Sequence, residues 1–219
     1  MVRILSTKKL ERNQEELLLN AGLSLVQYDA IRIEMSEFKI PQQPVENAVF
    51  TSKNAVKAIL QKAVEIQNAF CVGDKTAALL EEQGISVKVK AQDASELAMK
   101  ITTDFSEVNF IFFCGNKRRD ELPETLKKHR VKIDEIEVYR TSLQAMEFPQ
   151  PFDGILFFSP SGVQSYHLQN QMQGTAFCIG ETTASEARKH TKNIVVAARP
   201  GIENLIAKAV NHFRKETHQ

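Results

Sequence analysis

Phe70-Cys-Val-Gly-Asp-Lys-Thr-Ala77 joins an apolar β-strand to the start of a helix through a single glycine. The first three residues are apolar and β-rich, and Thr76 to Glu82 has the spacing of an amphipathic helix. A second copy, Phe177-Cys-Ile-Gly-Glu-Thr-Thr-Ala184, follows 107 residues later. A strand that turns directly into a helix, twice in one chain, indicates parallel sheets covered by helices.

The rest of the chain shows the same alternation of strand and helix. The predicted strands are Val2–Leu5, Leu23–Tyr28, Ile31–Met35, Ala48–Phe50, Phe70–Val72, Ile85–Val89, Val108–Phe113, Ile133–Thr141, Ile155–Phe158, Phe177–Ile179 and Ile194–Ala197. The predicted helices are Leu10–Leu19, Asn54–Ile66, Thr76–Glu82, a helix that Asp93 caps and that runs to Thr103, Leu122–His129, Gly162–Gln169, Thr182–His190 and Ile202–Phe213. This order predicts an α/β protein with parallel strands and right-handed crossovers.

The two halves of the chain match each other over most of their length. Thr76-Ala77 falls on Thr183-Ala184 at the 107-residue offset, and Arg32 falls on Arg140 at an offset of 108. A period of this length indicates a duplicated domain, because solenoid repeats are shorter. Two similar lobes predict a cleft between them, where ligands are often bound.

The composition excludes several classes of protein. The chain has 219 residues, 42% of them hydrophobic, and a formal net charge of +1, so it is too neutral for a duplex-wrapping protein. It has no apolar run of signal-peptide or membrane-spanning length. Cys71, Cys114 and Cys178 lie far apart in apolar runs, outside any CxxC pattern. We therefore expect a cytoplasmic protein with reduced thiols and no metal, nucleic-acid or membrane partner.

Five of the predicted strands end in turns of small hydroxyl-bearing or glycine residues. These turns are Thr51-Ser-Lys-Asn54, Gly73-Asp-Lys-Thr76, Gly115-Asn-Lys117, Ser159-Pro-Ser-Gly162 and Gly180-Glu-Thr-Thr183. In parallel sheets, ligands bind beyond the carboxyl ends of the strands, and helix starts favour anions. Ser, Thr, Asp and Asn are also ordinary helix caps, so each turn alone favours capping over binding. If the five turns converge, they favour a ligand with many anionic groups.

Lys117-Arg-Arg119 is the densest basic run near these turns. It would pair with carboxylates, or form a solvated first helical turn balanced by Asp120 and Glu121. The chain has neither GxGxxG nor GxxxxGK[ST], and Ser159 lacks a GxSxG context. The histidines have no metal-ligand spacing and are expected at the surface; they are His129, His167, His190, His212 and His218. These patterns therefore predict neither a nicotinamide-binding site nor a metal site.

Tyr139, within Val138-Tyr-Arg-Thr141, is the remaining candidate for chemistry. A phenol can donate a proton without carrying charge, which suits the departure of a hydroxyl leaving group. The alternative is a half-buried strand tyrosine with one edge in water. The residues alone leave both interpretations open.

Seven short motifs follow one another in a specific order. They are Phe50-Thr-Ser-Lys-Asn-Ala-Val56, Val72-Gly-Asp-Lys-Thr-Ala77, Gly115-Asn-Lys-Arg-Arg-Asp-Glu-Leu-Pro123, Val138-Tyr-Arg-Thr141, Phe157-Phe-Ser-Pro-Ser-Gly-Val163, Ile179-Gly-Glu-Thr-Thr-Ala184 and Val196-Ala-Ala-Arg-Pro200. In this order they resemble uroporphyrinogen-III synthase. The resemblance implies two similar parallel-sheet lobes joined by a two-stranded β connector. Residues 1–30 and 142–219 would form a discontinuous lobe, 31–37 and 136–141 the connecting strands, and 38–135 the second lobe.

The resemblance also implies a reaction and a set of site residues. The family closes hydroxymethylbilane to uroporphyrinogen III, with loss of water and inversion of the last pyrrole ring, as a cofactor-free hydro-lyase. Its VYxT tyrosine, here Tyr139, is the candidate acid. Residues that match its cleft or would receive carboxylates are Thr76, Ser159, Thr182, Thr183, Ser52 and Ser161. From the turns and the basic run we add Asn54, Lys117 and Arg119 as substrate-binding candidates.

A monomer is expected, with at most a transient contact with the preceding pathway enzyme. The alternative to an enzyme is a non-catalytic two-lobed binding protein for an anionic metabolite. The products formed from hydroxymethylbilane distinguish the two.

Overall fold

Strands and helices alternate along the chain, and the computed structural model describes residues 1–216. The strands are β1 (Arg3–Ser6), β2 (Ser24–Gln27), β3 (Ile31–Met35), β4 (Val45–Phe50), β5 (Ile66–Val72), β6 (Val87–Ala91), β7 (Phe110–Gly115), β8 (Ile133–Leu143), β9 (Gly154–Phe157), β10 (Thr175–Cys178) and β11 (Ile194–Val196). The helices are α1 (Arg12–Leu19), α2 (Lys53–Gln61), α3 (Asp74–Glu82), α4 (Ala94–Asp104), α5 (Glu121–Lys128), α6 (Pro160–His167), α7 (Glu181–Ala187) and α8 (Ile202–Glu216). The predicted α/β class is confirmed. Within residues 1–216, no helix is both long and apolar enough to cross a membrane. His218 lies outside the described residues.

The chain forms two compact units. Unit 1 is Met1–Arg32 with Ser142–Gln219, and unit 2 is Ile33–Thr141. β8 pairs with β7 from Ile133 onward, so the segment expected as the second connecting strand continues a strand of the sheet in unit 2. The predicted boundaries and the predicted cleft stay predictions.

Unit 1 is built on a parallel sheet with the strand order β11-β10-β9-β1-β2. Successive strand residues bury opposite faces: Leu156 packs with α1 and α8, whereas Ile155 and Phe157 pack with α6 and α7. Because both faces are covered, the strands are apolar throughout rather than alternating.

Unit 2 is built on a sheet with the strand order β3-β8-β7-β4-β5-β6, in which β4 to β8 are parallel. Phe50 faces α2 and α3, and its neighbour Val49 faces α4 and α5. The two units therefore share one plan, as the internal repeat predicts.

The prediction of a helix over Asn54–Ile66 is wrong at its C-terminal end. Helix α2 ends at Gln61, and Ile66 begins β5. Ala63 takes a left-handed conformation with φ 48°, and the backbone N–H of Val64 donates to the carbonyl of Ile59 at 3.3 Å. This is the usual way to end a helix, but glycine normally occupies the left-handed position.

Candidate active site

The carboxyl edge of the sheet in unit 2 carries six of the predicted site residues. Phe50 of β4 is paired with Cys71 of β5 on one side and with Phe113 of β7 on the other, so the carboxyl ends of these strands lie side by side. The turns that follow the three strands carry Ser52, Asn54, Thr76, Lys117 and Arg119. Tyr139 of β8 is paired with Gly115 at the end of β7. The structure thus brings these six residues to one edge of one sheet.

The ring of Tyr139 packs on Gly115. A bulge between Cys114 and Gly115 puts Gly115 opposite Tyr139, and a Cβ atom on Gly115 would overlap the ring and lie 2.9 Å from the phenol oxygen. Tyr139 also packs against the core of unit 2. Over the described part of the chain, its hydroxyl has no hydrogen-bond partner. The phenol is therefore held by packing, and its hydroxyl proton is not donated to a hydrogen bond within the described part of unit 2.

Asn116 continues the pairing of β7 with β8 beyond the last residue of β7. Its backbone N–H donates to the carbonyl of Tyr139 at 3.3 Å. Its side-chain Oδ1 accepts from the N–H of Thr141 at 2.8 Å, and its Nδ2 donates to the carbonyl of Thr141 at 3.3 Å. A side-chain amide offers the same donor and acceptor as a peptide group, so Asn116 substitutes for a further strand residue. Sequence reasoning missed this residue; the only signal was an Asn in a turn, where its side chain often imitates backbone.

Ser52 and Ser159 cap the helices that they precede. The Oγ of Ser52 accepts from the N–H of Asn54, and the Oγ of Ser159 accepts from the N–H of Gly162, both at 3.1 Å. The capping interpretation is confirmed for these two serines. Each hydroxyl keeps its own proton, which can still be donated to a carboxylate. Asn54 and Ser161 are half-buried in the first turns of the same helices.

Helix α3 begins without a side-chain cap. Its N-cap is Gly73, whose φ of 84° favours glycine. Among residues 1–216, nothing accepts a hydrogen bond from the backbone N–H of Asp74 or Lys75. Thr76 is only 5% exposed, and its hydroxyl also has no partner in this part of the chain. An uncapped helix start favours an anion, so the surroundings of Thr76 suit a ligand better than those of Ser52.

The three residues of the basic run after β7 differ in their contacts and exposure. Arg118 forms ion pairs with Asp120 and Glu135, and 26% of its side chain is exposed. Arg118 therefore belongs to the framework that joins this turn to β8. Lys117 is exposed and forms no ion pair within the described residues. Arg119 is exposed too, so these two side chains, rather than Arg118, are the ones that a ligand could reach.

The carboxyl edge of the sheet in unit 1 carries the other four predicted residues. Phe157 of β9 is paired with Cys178 of β10, and the turns after these strands carry Ser159, Ser161, Thr182 and Thr183. Thr183 is 3% exposed. Its N–H donates to the carbonyl of Gly180 at 3.1 Å, and the N–H of Thr76 donates to that of Gly73 at the same distance. The internal repeat therefore extends to the hydrogen bonds that begin α3 and α7. Thr182 is exposed.

The three cysteines are free and buried. Burial raises the pKa of Cys71 and of Cys114 to about 11, and that of Cys178 to about 12. Thiols with such pKa values are protonated at neutral pH and are poor nucleophiles. They belong to the core and not to the candidate site.

One protein family matches the chain over most of its length. The model described as uroporphyrinogen-III synthase HemD matches residues 13–207. The chain belongs to the uroporphyrinogen-III synthase family. The matched span includes every predicted site residue at both carboxyl edges. The family makes the chain an enzyme of tetrapyrrole synthesis, in the pathway to haem.

Solved structures of uroporphyrinogen-III synthases have the same fold. The uroporphyrinogen-III synthetase from Helicobacter pylori superposes with a TM-score of 0.74 at 16% sequence identity, covering 97% of this chain and 100% of that chain. A mutant uroporphyrinogen III synthase from the extremely thermophilic bacterium Thermus thermophilus gives a TM-score of 0.67 at 14% identity, with 100% of both chains covered. At such low identity the likeness establishes the fold, while the role of each residue depends on its geometry in this chain.

Proposed function

We propose that this chain closes hydroxymethylbilane to uroporphyrinogen III. The terminal hydroxymethyl group of the substrate leaves as water, and the substituted carbon of the last pyrrole attacks the resulting electrophile. The spiro intermediate then rearranges so that the last ring is inverted. The net change is the loss of one water molecule, which makes the enzyme a hydro-lyase and requires no redox or group-carrying cofactor. The family match over residues 13–207 carries this proposal.

Tyr139 is the proposed acid that assists the departure of the hydroxyl group. A phenol can donate a proton without first carrying a positive charge. Two observations support the role. No described residue accepts a hydrogen bond from the Tyr139 hydroxyl, and the ring packs directly on Gly115. The acid contribution is modest, because the free substrate also closes, but without inversion. Most of the catalysis then comes from holding the substrate in a folded-back conformer.

The carboxylates of the substrate are proposed to bind to the turns at the carboxyl edges. In unit 2 the proposed contacts are the hydroxyls of Ser52 and Thr76, the side chains of Asn54, Lys117 and Arg119, and the backbone N–H groups that begin α3. Uncapped N–H groups and hydroxyl protons suit carboxylates because both are hydrogen-bond donors. In unit 1 the proposed contacts are Ser159, Ser161, Thr182 and Thr183. The hydroxyl proton that each capping serine retains supports this assignment.

The proposed enzyme is a cytoplasmic monomer. Three buried free cysteines support a reducing compartment, since secreted proteins of this size usually pair their cysteines. A transient contact with the preceding pathway enzyme would shorten the time that hydroxymethylbilane spends free in solution, where it closes without inversion.

Product analysis tests this function directly. The full chain is incubated with hydroxymethylbilane that is generated enzymatically, the products are oxidised, and type I and type III uroporphyrin are separated by chromatography. We expect type III to predominate with the protein and type I to predominate without it. Only type I from folded protein would contradict the proposal and favour the alternative, a binding protein for an anionic metabolite.

A further inference from the structure

Strand β8 continues beyond the end of its neighbour β7. β7 ends at Gly115, which is paired with Tyr139, whereas β8 continues to Leu143. Asn116 takes the place of the missing strand residues through one backbone bond to Tyr139 and two side-chain bonds to Thr141. These bonds hold the backbone on both sides of Arg140, immediately after the proposed acid.

The two restraints on Tyr139 are different in kind. Gly115 lets the ring lie directly against the backbone of β7, because it has no side chain in the space that the ring occupies. Asn116 fixes the backbone from which the ring projects. The phenol oxygen lies at the far end of the side chain, so a small rotation of this backbone displaces the hydroxyl by more than it displaces the ring base. A misplacement of about 1 Å can lower a rate by roughly 100-fold.

We propose that Asn116 is a positioning residue for Tyr139. Its side-chain amide holds residues 139–141 so that the phenol reaches the leaving hydroxyl group. The catalytic consequence rests on the proposed function, whereas the effect on the ring does not.

Fluorine NMR tests the effect on the ring without an activity assay. The chain has three tyrosines, so biosynthetic labelling with 3-fluorotyrosine gives one signal each for Tyr28, Tyr139 and Tyr166, and Tyr139→Phe assigns the relevant one. Asn116→Asp keeps the size of the side chain and the acceptor for Thr141 N–H, but places an oxygen against the carbonyl of Thr141. We expect the Tyr139 signal to shift or broaden, and the signals of Tyr28 and Tyr166, both buried in unit 1, to stay.

Asn47→Asp is the matched control. The Nδ2 of Asn47 donates to the carbonyl of Asn109 at 3.3 Å, toward the amino end of the same sheet, so this variant makes the same change of charge away from Tyr139. All three signals should then remain in place. Asn116→Ala removes both side-chain hydrogen bonds without adding charge, and it should also move the Tyr139 signal. It replaces Asn116→Asp in this test if that variant does not fold.

Kinetics test the catalytic consequence. We expect Asn116→Ala to lower kcat about tenfold with KM within about twofold of the wild type, because it adds no charge beside the proposed binding groups Lys117 and Arg119. In the Tyr139→Phe background the same substitution should cost less than about twofold, since its effect passes through the phenol. An unmoved Tyr139 signal in both Asn116 variants, or a full tenfold loss in the Tyr139→Phe background, would overturn the proposal. If Tyr139→Phe alone leaves kcat unchanged, the acid role fails, and the fluorine spectra still decide whether Asn116 holds the ring.

Discussion

Gly115 and the ring of Tyr139 are in contact across neighbouring strands, with no room for a side chain between them. A Cβ atom on Gly115 would come closer to Cζ of Tyr139 than real Cβ atoms approach other atoms. Gly115→Ala must therefore displace the ring or open the pairing of β7 with β8. We expect the free energy of unfolding to fall by about 1–3 kcal/mol, as for other overpacked sites. We also expect a lower kcat for type III formation.

Gly180→Ala is the control for the stability measurement. Gly180 also ends a strand-to-helix turn, but a Cβ atom there would meet nothing within 4 Å, and its φ of −174° suits any residue. Because Gly180 is the N-cap of α7 and alanine caps less well than glycine, the unfolding free energy of Gly180→Ala, measured with urea, should fall by about 0.5 kcal/mol, less than that of Gly115→Ala. Equal losses in the two variants would argue against a specific contact between Gly115 and Tyr139.

Replacing Tyr139 by Phe removes the proposed acid and keeps the ring. Because the free substrate also closes, we expect kcat to fall roughly 10- to 100-fold, below the roughly ten-thousand-fold ceiling of general acid catalysis, with little change in KM. Tyr166→Phe is the control, because the hydroxyl of Tyr166 donates to the carbonyl of Gln171 in unit 1, and it should keep its turnover. A loss at or beyond the ceiling would mean that acid catalysis outweighs conformational control.

Substitutions of Thr76 and Ser52 should differ in their effect on the free energy of unfolding. The hydroxyl of Thr76 has no partner within residues 1–216, and its oxygen is not among the buried unpartnered atoms of that part of the chain, so Thr76→Val removes no intramolecular hydrogen bond from the free protein. We expect little change in stability and a KM raised at least about tenfold, since one lost hydrogen bond to a charged group is worth about 1.5–3 kcal/mol. Ser52→Ala removes a cap as well as a proposed carboxylate contact, so it should also cost about 1 kcal/mol of unfolding free energy. A destabilised Thr76→Val with unchanged KM would show that its hydroxyl is structural.

The order of elements could be predicted because most of them carry their own local signal. Asp93 accepts a hydrogen bond from the N–H of Glu96 at 2.9 Å, as the capping-box pattern predicts, and Gly22 ends α1 with φ 77°. The end of α2 could not be predicted, because alanine and not glycine takes the left-handed position at residue 63. Nothing in the polar and apolar spacing of Lys57–Ile66 separates the last turn of that helix from the strand that follows.

The sequence predicted at which edge of a sheet the site residues lie. It did not predict their hydrogen-bond and ion-pair partners. Both Ser52 and Thr76 follow strands, and only the structure distinguishes a serine that caps from a threonine that caps nothing. Arg118 pairs with Glu135, seventeen positions away, which spacing alone could not indicate. The function of Asn116 depends on the bulge after Cys114, because that irregularity sets which residue of β8 lies opposite Gly115.

His167 should make unit 1 less stable in mild acid. Its ring stacks on that of His190 with a centroid distance of 3.8 Å, and its Nε2 is buried with no hydrogen-bond partner in the described residues. Burial, and secondarily the nearby His190, lowers the pKa of His167. An unfolded histidine takes up a proton near pH 6.5, whereas the folded ring takes one up only at lower pH. Below about pH 6.5 the unfolded state therefore binds more protons, and stability falls as the pH falls.

Urea unfolding at pH 7.5, 6.5 and 5.5 measures this dependence. His167→Phe keeps an aromatic ring against His190 but cannot titrate, so its unfolding free energy should decline less between pH 7.5 and 5.5 than that of the wild type. His129→Phe, at an exposed position of unit 2, is the control for replacing a histidine by phenylalanine. The pKa values of Glu96 and Glu186, lowered chiefly by hydrogen bonds from Lys100 and Lys189, affect stability only at more acidic pH. If His167→Phe retains the full wild-type slope, the source of the acid sensitivity lies elsewhere in the chain.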